Sequence, residues 1–411
     1  MAHRLIENPA MPRDPQHPPP PRAPARPRAP LAPVLSGASF GRAAAPLPSV
    51  LDAGAVRLVT SGRIALALAL GELGVAKGDQ VLLPAYHSLS MVPPVLARGA
   101  TPLFYKVGPD TAVDLDDVAA RLGPRVKALV VTHYFGFPQD LARLRAFCDA
   151  HALALVEDCA HCFFGEHAGR PVGSFGDYAI ASSMKFYPAY DGGALLSARH
   201  PLERVRLRSA GPGFEAKAVL AALELAFGYR RLAPLRMALA LPLWARDRLW
   251  PLLKARRKGG APALAPASSD NGAGFDARWL DKRASWFARL LLARVSGARI
   301  VALRRARYLA LEAALAALPG CRPLFTRLPD GACPWLFPLW VDDPEPLFAR
   351  LKGNGVPLVR FAETLWPGVD AALCAHSAAL SRHVLSFPVH QELDDDEFAW
   401  MSAELCRALA V

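Results

Sequence analysis

From residue 55 onward the chain alternates short, β-branched apolar runs with longer stretches whose apolar positions recur at helical spacing. Residues 56–60 (VRLVT) read as a strand and 63–74 (RIALALALGELG) as a helix. The same alternation continues through DQVLLPAY (79–86), SLSMVPPVLARG (88–99), TPLFYKV (101–107) and DLDDVAARLG (114–123). It closes with VKALVVTHYFG (126–136), DLARLRAFCDAHA (140–152) and LALVEDCAH (153–161). Regular strand–helix alternation with strands apolar on both faces predicts a largely parallel sheet covered by helices on each side. Ligands of such sheets lie beyond the carboxyl ends of the strands. Tyr86, His87, His133 and Asp158 all fall at such ends.

Composition adds boundaries to this pattern. The chain has 411 residues, 52% of them hydrophobic, enough for one large and one smaller domain. Residues 1–50 begin with HPPPPRAPARPRAPLAP-type sequence, which buries too little apolar surface to order itself, so a solvated tail is expected. Residues 51–205 form the predicted large domain and 276–411 a small C-terminal one, built of strand, helix, strand and terminal helix. Between them, 206–275 is leucine-, alanine- and arginine-rich and ends in a Gly/Ala/Pro linker, Gly259 to Gly274. Its apolar runs reach about half of the roughly 20 residues that span a bilayer. Packing within the protein is the preferred reading of this stretch, ahead of a dimer interface or a membrane surface. A net charge of +12 suits an anionic partner without choosing among a nucleotide-linked sugar, a nucleic acid and an acidic membrane. Seven scattered cysteines do not form a disulfide framework, and the N-terminus lacks a signal-peptide core, so a cytoplasmic protein is expected.

The chemistry concentrates in residues 156–197, VEDCAHCFFG followed by GSFGDYAIASSMKFYPAYDGGALLS. Asp158 ends an apolar strand. Lys185 sits among Met184, Phe186, Tyr187 and Pro188, poor company for a solvated charge. Burial lowers a lysine pKa and makes the amine a nucleophile or base near neutral pH. An acid at a strand end, a lysine in an apolar loop and the hydroxyls of Ser182 and Ser183 suit pyridoxal 5'-phosphate: amine to aldehyde, carboxylate to pyridine nitrogen, serine to phosphate. Thr60-Ser61-Gly62-Arg63, where the first strand turns into a helix, is a natural phosphate cradle. Cys159, His161 and Cys162 offer soft metal ligands, but no second cysteine pair completes a closed zinc site, and no metal is expected.

Glu157, Asp158, Ala160, His161, Gly176, Asp177, Ser182, Lys185, Gly192 and Gly193 fall in order on a pattern that resembles the DegT/DnrJ/StrS sugar aminotransferases. The resemblance runs from about Val56 to Ala198 and more loosely through the C-terminal third. It implies an α/β, fold-type-I pyridoxal-phosphate transferase: a large domain with a mostly parallel central sheet flanked by helices, plus a small C-terminal α+β domain. It also implies transfer of an amino group from an amino acid, glutamate, to a nucleotide-linked keto sugar for polysaccharide or glycoconjugate synthesis, in a homodimer. By resemblance Lys185 is catalytic and cofactor-bound, Gly62, Arg63 and Ser182 meet the phosphate, His87 stacks on the ring, Asp158 holds the ring nitrogen and His161 touches the ring oxygen. His133 and Tyr134 would face substrate; Arg360, His383 and His390 are further cleft candidates.

The chain departs from the family at Arg63, where many relatives have threonine, and lacks their G-Y-N-x-R segment, which reaches the neighbouring subunit. Two alternatives stay open: another pyridoxal-phosphate reaction, such as a lyase or elimination, and a non-catalytic regulatory protein on the same fold. No nucleic-acid partner is expected.

Overall fold

The computed structural model describes residues 28–41, 47–244, 248 and 274–410. Its seven-stranded sheet contains β1 (Ala55–Val59), β2 (Gln80–Pro84), β3 (Thr101–Tyr105), β4 (Val126–Thr132), β5 (Ala154–Cys159), β8 (Tyr178–Ala181) and β9 (Gly193–Ser197). A two-residue hairpin pair, β6 (Glu166–His167) and β7 (Arg170–Pro171), lies outside it. The order is β1-β9-β8-β5-β4-β2-β3, with β9 alone running against the rest. The mostly parallel sheet and flanking helices agree with the sequence pattern, element for element, from the first strand to β5. All strands except β9 therefore deliver their carboxyl ends to one edge.

Alternation sorts the side chains. Val81, Leu83, Ala128, Val130 and Val156 point to one face, under the helices Gly62–Glu72 and Val92–Ala97. Leu82, Leu129, Val131 and Leu155 point to the other, where one apolar cluster continues into Phe337, Leu339, Leu385 and Phe387. Those last four belong to the antiparallel sheet β10 (Cys321–Pro323), β11 (Leu336–Val341) and β12 (Val384–Pro388). The C-terminal α+β unit thus shares a core with the large sheet instead of closing a separate one. Residues 357–361 (PLVRF) contribute the isolated bridge Val359↔Ser386 beside β12.

The expected solvated tail needs correcting over 28–41. Ala29, Val34 and Leu35 are buried, the Pro30 carbonyl accepts from His390 at 3.0 Å, and the Ser36 hydroxyl donates to Glu392 at 2.6 Å. Proline lacks an N–H that would need a partner, so an extended proline-rich strand can lie in a groove with few hydrogen bonds. Residues 1–27 and the Gly259–Ala273 part of the linker lie outside the described residues. Among the described residues no helix is long and apolar enough to cross a membrane.

Candidate active site

A cleft of about 840 Å³ opens at the carboxyl edge of the sheet. Its polar wall is built by strand ends and the turns that leave them. β1 leads into Ser61, whose hydroxyl caps the Gly62–Glu72 helix by accepting from the Ile64 N–H at 3.4 Å; Gly62 and Arg63 line the cleft at that helix start. β4 and β5 pair Thr132 with Asp158, and both reach the cleft. β8 leads to Ser182 and a single 3-10 turn, Ser183–Lys185, that turns Lys185 inward. The opposite wall comes from the C-terminal unit, through Trp335 and Phe361.

The glycine pair after Lys185 has a structural reason. Gly192 adopts φ +139°, and a Cβ there would overlap the Ser183 hydroxyl; a Cβ on Gly193 would collide with the backbone of Ser61 and Gly62. The start of β9 therefore lies flush against both the helix-start turn and the lysine loop, as only glycine permits. Thr60 and Ser183 each bury a hydroxyl oxygen without a protein partner in this region.

Electrostatics set Lys185 and Asp158 apart from ordinary surface groups. Burial lowers the Lys185 amine to about 8, opposed by the charge of Asp158. Its nitrogen lies 4.4 Å from the centre of the Trp335 ring. The Asp158 carboxyl is held above its usual range, mainly by burial; it accepts from the Ala160 N–H at 2.9 Å and from the Thr132 hydroxyl at 3.5 Å. His161 stacks on Trp335 with centroids 3.9 Å apart, and its Nδ1 is buried without a partner. Burial, then the nearby Lys185 charge, pushes its pKa well below the usual value, so the imidazole is neutral.

Arg304 organises this wall from behind. It is fully buried and makes no ion pair among the described residues, and its guanidinium donates to the carbonyls of Lys185 (2.8 Å), Trp335 (2.8 Å) and Pro334 (3.1 Å) and to the Gln391 side chain (3.1 Å). Burial lowers it to about 10. One side chain of the Gly297–Leu315 helix thus ties the lysine loop to the start of β11. Sequence reading missed Arg304 and Trp335: an arginine in an RR pair on a helix and a tryptophan near a strand carry no local mark of a site.

Of the residues singled out from sequence, Gly62, Arg63, Asp158, His161, Ser182, Lys185 and Arg360 meet at the cleft. His87, His133 and Tyr134 do not, and their expected roles need correcting. His87 is fully buried; Nδ1–H donates to the Ala85 carbonyl at 2.9 Å, Nε2 accepts from the Trp366 N–H at 3.2 Å, and the ring stacks on Phe104. It fastens the 361–374 segment to the strand end, and Ser88, not His87, lines the cleft. His133 donates to Glu157 at 3.1 Å and accepts from the Gln139 N–H at 3.1 Å, on the face of β5 turned away from Asp158. Tyr134 stacks on Tyr86 and donates to its carbonyl, one layer behind the lining residue Phe361. His383 Nδ1–H donates to the Val341 carbonyl at 2.8 Å and its ring stacks on Trp340, and His390 is taken up by Pro30 and Glu392. His133, Glu157 and Cys159 bring possible ligand atoms within 4.8 Å of one another, but hydrogen bonds already occupy both His133 nitrogens and both Glu157 oxygens.

Comparison with known proteins gives the setting. Residues 46–229 match the DegT/DnrJ/EryC1/StrS aminotransferase family. GDP-perosamine synthase of Vibrio cholerae is 34% identical over 142 residues, covering 34% of this chain and 39% of that enzyme. L-glutamine:2-deoxy-scyllo-inosose aminotransferase of Streptomyces kanamyceticus is 37% identical over 148 residues, 35% of each chain. These matches thus span well under half the length of either curated relative. The aminotransferase TlmJ from Streptoalloteichus hindustanus has the same fold, with a TM-score of 0.57, 25% identity and 86% of each chain covered.

Proposed function

We propose, for a chain whose residues 46–229 belong to the DegT/DnrJ/EryC1/StrS aminotransferase family, transfer of an amino group from glutamate to the carbonyl of a nucleotide-linked keto sugar. The observation that carries this reading is one amine of lowered pKa and one under-donated carboxylate in a single cleft, Lys185 and Asp158. The reaction calls for pyridoxal 5'-phosphate, and the residues present fit it. The unpartnered His161 Nδ1 offers its ring oxygen a contact, and the helix start at Gly62–Arg63 with Ser182 offers amides, a hydroxyl and a cation for phosphate. Lys185 would take its aldehyde and Asp158 its pyridine nitrogen. When bound, the group supplies an electron-withdrawing ring that accepts the charge left when a proton leaves the amino carbon.

The chain's own residues do the rest. With its pKa near 8, Lys185 holds a usable fraction of free amine at neutral pH and can both take and return that proton. Asp158 reaches the strand end with few donors of its own, so its carboxyl is left available to pair with a ring N–H. Leu66, Met91, Ile180 and Phe361 keep water from the reacting edge. The same reading takes the enzyme as a cytoplasmic homodimer.

Titration with pyridoxal phosphate is expected to give a visible absorbance band, and borohydride to fix the cofactor to the chain at Lys185. Lys185→Ala loses both. Glutamate should bleach the band, and nucleotide-linked keto sugars restore it with gain of an amino group by mass. A band that survives Lys185→Ala, with borohydride still trapping the protein, removes Lys185 from this role.

A further inference from the structure

The family match stops at residue 229, and the stretch beyond it presents an apolar stripe to solvent. The Ala233–Ala238 helix buries none of its six residues. Helical hydrogen bonding continues through it, from Leu239 N–H to the Leu235 carbonyl and from Leu243 N–H to the Leu239 carbonyl. Met237, Leu241 and Trp244 are spaced four and three residues apart, so they share one helical face. They are 78, 74 and 58% exposed. The sequence preference for internal packing of 206–275 holds over the Pro212–Gly228 helix, which buries Phe214, Ala218, Ala222, Ala226 and Phe227, and is not met over 233–244. Water is a poor neighbour for such a stripe, and contiguous exposed apolar surface marks contact with another phase or molecule.

Charge selects among the occupants. Residues 230–244 contain Arg230, Arg231 and Arg236 and no acidic residue. Arg230, Arg236 and Arg248 are exposed, and the Arg248 guanidinium lies 5.5 Å from the Trp244 ring. Arg231 alone is turned to the protein, paired with Glu397 at 2.5 Å and Asp394 at 3.1 Å. A twofold contact between copies would set arginines against arginines, with no carboxylate from this stretch to pair them. An anionic lipid surface supplies the opposite charge, together with an apolar boundary layer suited to methionine, leucine and tryptophan. We propose that this face docks on a membrane surface bearing anionic headgroups. Met237, Leu241 and Trp244 enter the headgroup–acyl boundary, and Arg236 and Arg248 stay at the level of the phosphates.

Flotation of the full chain with phosphatidylcholine vesicles containing phosphatidylglycerol tests this. The protein is expected to float with these vesicles, to float less as salt is raised, and to stay behind with pure phosphatidylcholine. Met237→Glu/Leu241→Glu/Trp244→Glu, all at exposed positions, is expected to weaken flotation at least ~tenfold with thermal unfolding unchanged. Failure of the parent chain to float, or equal flotation of the triple variant, overturns the proposal. So does light scattering in which the triple variant splits a parent dimer into single chains, because the face would then join copies of the protein.

Discussion

Glu157 and Asp158 are neighbours on β5, both buried, and the protein treats them in opposite ways. Glu157, on one face of the strand, accepts from the N–H groups of Gly173 (2.8 Å), Phe175 (2.7 Å) and Gly176 (2.6 Å) and from His133 (3.1 Å). Burial alone would raise its pKa, but these donors win and hold it below the usual carboxylate range. Asp158, on the other face, has one short backbone donor and one long hydroxyl donor, and burial wins. The difference teaches that depth does not make a carboxylate reactive; the number of donors left over for it does. Glu157 is a fastening for the 173–176 loop, whereas Asp158 is kept short of donors and available for a cationic or N–H partner.

The largest expected effect lies on the fastening side. Glu157→Ala leaves three backbone donors and His133 without an acceptor, and should cost ~3–5 kcal/mol of stability by urea unfolding. Asp158→Asn should leave the urea midpoint near that of the parent while lowering the proposed aminotransfer ~10²–10³-fold. If the two variants exchanged these signatures, the division of labour across β5 would be wrong.

A finer test reads Lys185 through Asp158. The Asp158 charge raises the lysine pKa against burial. Amine reactivity toward a small aldehyde should therefore climb through about pH 8 in the parent and through a lower pH in Asp158→Asn, whereas Glu157→Gln should leave that profile in place.

The smallest effect concerns His87. Burial lowers it to about 4 from the ordinary 6.5. Between those values the unfolded chain binds a proton that the folded one refuses, so this contribution to stability is intact above pH 6.5 and lost as pH falls toward 4. His87→Ala should cost ~1–2 kcal/mol at pH 7, flatten that acid dependence in thermal unfolding, and leave affinity for pyridoxal phosphate unchanged.

Local pattern alone determined the parallel sheet, its edge, and the two polar residues on which the site turns. Period-two alternation and strand-ending acids are properties of short windows, and Lys185 stands out because its immediate neighbours are apolar. Tertiary structure decided which strand-end residues share the cleft. A side chain's face depends on register, which put Asp158 toward the cleft and His133 with Glu157 behind it. It also fixed His87 as a strut for a segment 279 residues away in sequence and recruited Arg304 across 119 residues to hold the lysine loop. Such contacts join parts of the chain whose separate sequences contain no trace of each other, because only the packed core brings them within hydrogen-bond range.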